Sequence, residues 1–485
     1  MGSVSDDCWE DNDPFADSDQ STDDGDKYSG SKHDSTITES HLTTFFAARP
    51  KNFQLERQLG SGAAANAWLV RYRKQAGDPW GRIVLKTPVS IAESGYVPNP
   101  LDVQLNILAF ENEIRLLNTI RTRHLVKLIK FSDGEDPLKR PGASSFIGRW
   151  VYLEYLQHGT LSAFTRKCAT HMVPHLPNRL LWRIFMCLIR ACVAMAYVPA
   201  VPVDRYDENE EPCDVDRDSV SYSHNDMHSD NIMIGDMLSD PDDVEHSICP
   251  VVKFIDIDVH SQYADTNDAP HPLSSEGGEG DGVERNLLSV AANMTELVLL
   301  DSTLGYDVTD AAETDDSVWF EPGGFRDGFA TAVKQLLPPS DGSGGAAMPA
   351  PWLDPDLRRL LCECAAVRGR DRPVLAEELL PAVLEAVEQR DAAYYRRAGY
   401  CDDAGAEEDA AILGLLQRVL GAAPPPPPTP AVVPGGEEEA GGEGPESTET
   451  VDRPARRFLR TDRDRRSASP ENRGKRYQPF RYRTR

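Results

Sequence analysis

The densest group of chemically capable side chains is His224-Asn-Asp226-Met-His228-Ser-Asp-Asn231, with Ile-Met-Ile directly behind it. Asp226 and Asn231 stand five apart, and the apolar run after them predicts a strand. An aspartate that accepts a hydroxyl proton, beside an asparagine whose amide oxygen ligates a cation, is the pair that phosphoryl transfer uses. A second run, Val251-Val-Lys-Phe-Ile255, predicts a strand that delivers Asp256 at its end. A carboxylate placed there can hold Mg²⁺ bridging phosphates. Each piece alone also fits a loop of an acid-rich chain; their order and spacing together do not.

Three upstream features suit the same chemistry. Gly60-Ser-Gly62 lies between two strand candidates, where glycines let backbone N–H groups approach phosphate oxygens; a plain hairpin turn explains it as well. Lys86 closes the apolar run Ile-Val-Leu-Lys, and a lysine there is costly to bury unless paired. Glu113, on the helix predicted over Phe110 to Ile120, can supply that partner, although an exposed pair would contribute little.

The elements that must position these groups fall into two sets. Phe53-Gln-Leu55, Trp68-Leu-Val-Arg-Tyr, Gly81 to Lys86, His124 to Ile129 and Trp150 to Glu154 read as strands around the Phe110–Ile120 helix. Leu181, Ile184, Phe185, Leu188, Cys192 and Met195 recur at helical spacing and predict a long core helix. From Leu287 to about Val387 the chain reads as helical. The expected organisation is an acidic disordered tail (1–48), a strand-rich region (49–156), a helix-rich region (157–390) with an acidic insertion near 204–218, a helical extension (391–422), and a disordered linker and basic tail (423–485).

The 485 residues carry a net charge of −28, with 35 Gly and 36 Pro unevenly spread. Residues 451–485 hold 13 Arg or Lys against 4 Asp or Glu, a net +9, which leaves −37 on the rest. Such a surface repels duplex DNA and anionic lipid, so neither a membrane nor a nucleic-acid partner is expected outside that tail. The tail could serve as a nuclear address or an RNA-binding arm; a solvated tail folding back on the acidic body explains it too. Nine scattered cysteines without a CxxC pair argue against a disulfide framework and against a thiolate zinc site. The two-residue spacing of Cys362 and Cys364 is poor for a metal. The first 40 residues lack an apolar core, and an intracellular location, cytoplasm or nucleus, is expected.

Residues 53 to about 390 resemble the catalytic domain of eukaryotic protein kinases, in a divergent form similar to fungal kinase-like proteins. The resemblance places the glycine-loop positions on Gly60, Gly62, Ala65 and Ala67, the strand lysine on Lys86 and its helix partner on Glu113. It places the hinge on Glu154 to Leu156, the catalytic loop on His224 to Asn231, the metal motif on Asp256-Ile257-Asp258 and a closing motif on Arg370-Asp-Arg372-Pro373. It implies an α+β, bilobal fold with a small antiparallel β-rich lobe, one main helix and a larger helical lobe. ATP and Mg²⁺ would be the cofactors and a protein hydroxyl, Ser or Thr, the acceptor. Asp226, Lys86 and His228 would be catalytic, and Asn231 and Asp256 would hold the metal. Gly60, Gly62, Ala67, Val84, Glu113, Glu154, Leu156 and Met233 would complete the nucleotide site, with Val84 and Met233 around the adenine. Leu117, His224 and Ile257 would stack as an apolar spine.

This sequence departs from the family pattern at four places. Asn225 stands for the catalytic-loop arginine, His228 for the lysine that contacts the transferred phosphate, Asp258 for a glycine, and Asn286 for the aspartate that anchors the catalytic loop. No Ala-Pro-Glu precedes Asn286, and residues 259–284 carry six acids and no Lys or Arg. Two other readings follow. A small-molecule kinase of the aminoglycoside or choline phosphotransferase type shares His-x-Asp followed by Asn, often with a histidine at the His228 position. A catalytically inert kinase-like scaffold fits the altered anchors.

Overall fold

Alternation along three strands decides which side chains meet ligand and which make core. The strands are β1 (Phe53–Ser61), β2 (Ala65–Tyr72) and β3 (Gly81–Pro88), joined by β4 (Leu128–Ile129) and β5 (Val151–Glu154) in one antiparallel sheet of order β1-β2-β3-β5-β4. Trp68, Val70, Ile83, Leu85 and Tyr152 point to one face and form a core cluster. Ala65, Ala67, Val84, Lys86 and Leu153 point to the other and line a cleft. Ala67 pairs with Lys86, and Lys86 with Val151. A one-residue slip of β3 would turn Lys86 into the apolar cluster, so burial of that cluster fixes the register that exposes the lysine to the cleft.

The computed structural model describes residues 42–43, 46, 52–62, 65–88, 100–120, 122–131, 150–198, 222–238, 243–257, 281–314, 316–322, 328–338, 347–399 and 404–421. The acidic insertion at 204–218, Asp258 with the segment after it to 280, and the proline run and basic tail lie outside the described residues. Among those described, the chain is a mixed α+β structure, and no helix is long and apolar enough to cross a membrane.

Leu42 and Phe46 correct the expected limit of the N-terminal tail at residue 48. Both are buried in the cluster behind the sheet, against Phe53 and Trp68. Four residues apart, they present one apolar helical face, a signal too short to stand out beside the acidic stretch that precedes it.

Helix α1 (Pro100–Thr119) packs on β3. Beyond β5, Gly159 adopts φ 83°, which a side chain would strain, and turns the chain into α2 (Leu161–Thr170). Thr160 caps that helix by accepting from the Ala163 N–H at 3.1 Å. The long helix α3 (Asn178–Ala196) is buried on nearly all sides rather than on one face. It packs against α4 (Asp281–Leu299), against α7 (Leu380–Gln389) and against β7 (Val252–Phe254), the partner of β6 (Ile232–Ile234). Helix α5 (Leu304–Glu313) follows α4.

The expected helical run from Leu287 to Val387 is interrupted by a hairpin, β8 (Val318–Phe320) and β9 (Phe329–Thr331). Its aromatic and β-branched residues pack on Leu337, Cys362 and Ala366, so tertiary burial overrides the helical reading. Cys362 and Cys364 belong to α6 (Pro355–Cys364), where both thiols are buried and desolvation pushes the Cys362 pKa up to about 12. Likewise the strand expected over His124–Ile129 narrows to Leu128–Ile129. Residues 124–126 instead bond across to Phe254: Phe254 N–H donates to the His124 carbonyl and Val126 N–H to the Phe254 carbonyl, both at 2.9 Å.

After α7 the chain forms α8 (Ala392–Ala398), a short turn at Ala404–Glu407 and α9 (Asp409–Leu420). That turn completes α3. Pro177 precedes α3 and offers no side-chain cap, so the first N–H groups need acceptors from elsewhere. Buried Glu407 supplies them: its carboxylate accepts from Asn178 N–H at 2.7 Å and Arg179 N–H at 2.9 Å. A carboxylate there is further favoured by the helix dipole. Replacing Glu407→Ala should strand two buried donors and lower unfolding free energy by about 2–4 kcal/mol in urea denaturation; a loss under about 0.5 kcal/mol would show that water satisfies them.

Candidate active-site cleft

Lys86 is the hub of the cleft. Its Nζ lies 2.8 and 2.7 Å from the two carboxylate oxygens of Glu113 on α1, and 2.5 Å from Asp256 Oδ1 beyond β7. Burial alone would lower the lysine's pKa, but the two carboxylates outweigh it and hold the ammonium above its usual value. Asp256 sits at φ 56°, a left-handed backbone that a non-glycine residue adopts at a cost. Its side chain is 55% exposed, so one oxygen serves Lys86 while the carboxylate still fronts the cleft.

The predicted catalytic loop forms a tight polar turn. Asn231 Nδ2 donates to both the Asp226 carbonyl and Asp226 Oδ2, each at 3.0 Å. With its amide nitrogen committed to Asp226, the amide oxygen is the atom Asn231 can offer a cation. His228 Nε2 stands 3.4 Å from Asp226 Oδ1, and His228 Nδ1 accepts from Asp230 N–H at 3.2 Å. Their contact lowers the Asp226 pKa and raises that of His228.

Asn286 takes the anchoring position in full. Its Oδ1 accepts from His224 N–H and its Nδ2 donates to the Tyr222 carbonyl, both at 2.9 Å. An amide therefore holds the loop with one donor and one acceptor where a carboxylate would hold it with acceptors alone. Asn293 Nδ2 adds a bond to the Met227 carbonyl at 3.0 Å. His224 itself is buried, and its Nε2 meets the Ile255 carbonyl at 2.8 Å, tying the loop to the strand that carries Asp256. Leu117 and Ile257 are buried as well.

The cleft encloses about 710 Å³. Gly60, Gly62, Ala67 and Val84 line it from the sheet, Glu154 and Leu156 from the segment after β5, and Met233, Asn231 and Asp226 from the opposite side. All the expected site residues but His228 border this one space, and His228 contacts Asp226. A Cβ at Gly60 would meet nothing within 4 Å, so packing within the chain does not require that glycine. The Glu154 carboxylate is committed elsewhere, to Lys127 N–H and Lys253 Nζ, both at 2.6 Å, so it is not free to meet a ligand in the cleft. Gly60's open face, a paired lysine and hard oxygen donors at Asn231 and Asp256 together fit a triphosphate with Mg²⁺.

Two structural features lie beyond the sequence reading. A second cavity of about 580 Å³ adjoins the far side of Asp226, lined by His228, Asp230, Glu296 and Tyr306 among others. And Arg372 of the closing motif finds a partner in Glu284: its Nη1 donates to the Glu284 carbonyl at 2.8 Å and lies 3.7 Å from the carboxylate. Neither was signalled by spacing, since both depend on how α4 lies against the loop. No family model matches the chain, and no curated protein matches it.

Burial raises the Glu296 carboxyl to about 7, against opposing hydrogen bonds from Ser229 and the Gly305 N–H. Gly305 permits that approach, since a Cβ there would stand 2.3 Å from Glu296 Oε1. The native state thus keeps a proton that the unfolded chain releases near the ordinary glutamate pKa. Stability should fall as pH rises from about 4.5 to 7, by a few kcal/mol at most, and level off above. Unfolding midpoints across that range should show the slope in the native chain and lose it in Glu296→Gln; an unchanged slope would assign it to other groups.

Proposed function

We propose that the chain is an ATP-dependent phosphotransferase of the protein-kinase type, with two lobes meeting at the cleft. One observation carries the reading: Lys86, Glu113, Asp226, Asn231 and Asp256, distant in sequence, border a single space roofed by Gly60 and Gly62 and floored by Met233. Backbone at 154–156 takes the adenine edge, while Val84 and Met233 hold its faces. Lys86 binds the inner phosphates, and Glu113 keeps the ammonium in place. Incoming phosphate oxygens replace Asp256 as the second partner of Lys86, which frees that carboxylate. Asn231 and Asp256 hold Mg²⁺, which supplies charge neutralisation when bound.

Asp226 orients the acceptor hydroxyl and takes its proton. The acceptor enters by the second cavity, which meets the first at Asp226 and Asp230. His228, whose pKa the contact with Asp226 raises, lends positive charge when protonated to the phosphoryl group in the place where the family carries a lysine. The chain's contribution is positioning and charge, with no covalent intermediate. A protein Ser or Thr is the preferred acceptor class. His228 against Asp226 favours a second reading, a small hydroxyl-bearing amine, since acids at Asp230 and Glu296 line the acceptor side.

Mg·ATP should raise the thermal midpoint of the native chain and leave Lys86→Met nearly unmoved. An equal shift in both, or none in either, would remove the nucleotide site. With labelled ATP and mixed protein acceptors, Asp226→Asn should cut transfer about 100-fold or more. Labelling confined to small alcohols or amines would select the second reading. If Asp226→Asn left biological activity intact, the chain would be a binding scaffold.

A further inference from the structure

Behind the cleft, three residues that the phosphotransfer reading leaves unused come together. His124 precedes β4, Cys187 lies on α3 and His246 precedes β7. All three are buried, and their donor atoms lie within 4.8 Å of one another. Cys187 Sγ stands 3.6 Å from His246 Nε2.

The two imidazoles are oriented from behind. His124 Nδ1 meets the Val252 carbonyl at 3.2 Å. His246 Nδ1 meets the Asp243 carboxylate at 3.1 and 3.2 Å, and Arg123 holds Asp243 at 2.5 Å. Outer bonds of this kind, to a carbonyl and to a carboxylate, fix the rings of metal-bound histidines with the remaining nitrogen facing the ion.

We propose that His124, Cys187 and His246 bind a zinc ion that clamps the 122–131 segment to α3 and β7. Two imidazoles and one thiolate are the donor set zinc prefers. The Cys187–His246 separation of 3.6 Å agrees: with Zn–S about 2.3 Å and Zn–N about 2.0–2.1 Å, a tetrahedron separates sulfur from nitrogen by about 3.6 Å. Cys249 is buried and within hydrogen-bonding reach of Cys187. Its thiol donates to the Pro250 carbonyl at 3.2 Å. Three protein ligands are in place here, and a fourth protein donor would close the site as in structural zinc centres. Asp243 offsets the added positive charge without touching the ion. Cys187 and His246 are 59 positions apart, which no local spacing motif spans. The site stands independently of the cleft's function, although β7 ends two residues before Asp256. Without a metal, the same groups form only an Asp243–His246 ion pair beside a thiol.

Metal analysis of the full chain, purified without chelators, should find about one zinc per chain. The content should fall at least tenfold in Cys187→Ser and stay unchanged in Cys362→Ser. Because Cys187→Ser could fail to fold, the native protein supplies a second measurement. A strong chelator should lower its thermal midpoint, and Zn²⁺ should restore it. Co²⁺ added in place of zinc should give intense tetrahedral ligand-field bands and a thiolate-to-cobalt charge-transfer band. That last band separates the site from the cleft, whose lining includes no cysteine. A native chain without stoichiometric zinc and without the thiolate band on cobalt loading would leave the ion pair alone and overturn the proposal. So would full zinc retention by folded Cys187→Ser.

Discussion

A partly buried ammonium between two carboxylates sets the terms for the rest of the molecule. Lys86 draws together three elements that share no local sequence: β3, which carries it, α1, which brings Glu113, and the turn after β7, which brings Asp256. Alone, the charge would be expensive to remove from water, and each carboxylate offsets that cost only while its element is docked. The sheet must therefore present Lys86 on its cleft face, and the apolar cluster with Leu42, Phe46 and Trp68 behind it enforces that choice.

The polar turn opposite Lys86 depends on neutral amides. Asn286 and Asn293 of α4 hold the backbone at Tyr222, His224 and Met227. Asn231 then holds Asp226. Side-chain amides both donate and accept, so they position a loop without adding negative charge beside the Asp226 carboxylate. In a chain of net charge −28, neutral supports spare this turn a further negative charge.

Much of this was legible in the sequence, for a physical reason. Lys86, Glu113, Asp226, Asn231 and Asp256 are polar residues at ends or interruptions of apolar runs, and such placements are costly enough to be informative. Burial of the long helix through Met195 followed from its periodicity. The rest needed three dimensions. Leu42 and Phe46 are only two apolar side chains, the β8–β9 hairpin is held by contacts with α6, and Glu407 caps a helix more than two hundred positions earlier. His124, Cys187 and His246 met the same limit, because counting cysteines by spacing cannot detect donors contributed by three separate elements.

The rungs between residues 124–126 and Phe254 have a mechanical consequence. Together with the covalent crossing at 154–156, they join the sheet to the helical layer at two places on the same side of the cleft. Two attachments define an axis. Rotation about it alters the gap between Gly60 and Asp226 most, and the gap between Leu153 and Met233 least. The end of the cleft at Leu153 and Met233 is thereby the stiffer one, while the end at Gly60 and Asp226 opens and closes against the Lys86–Asp256 pair.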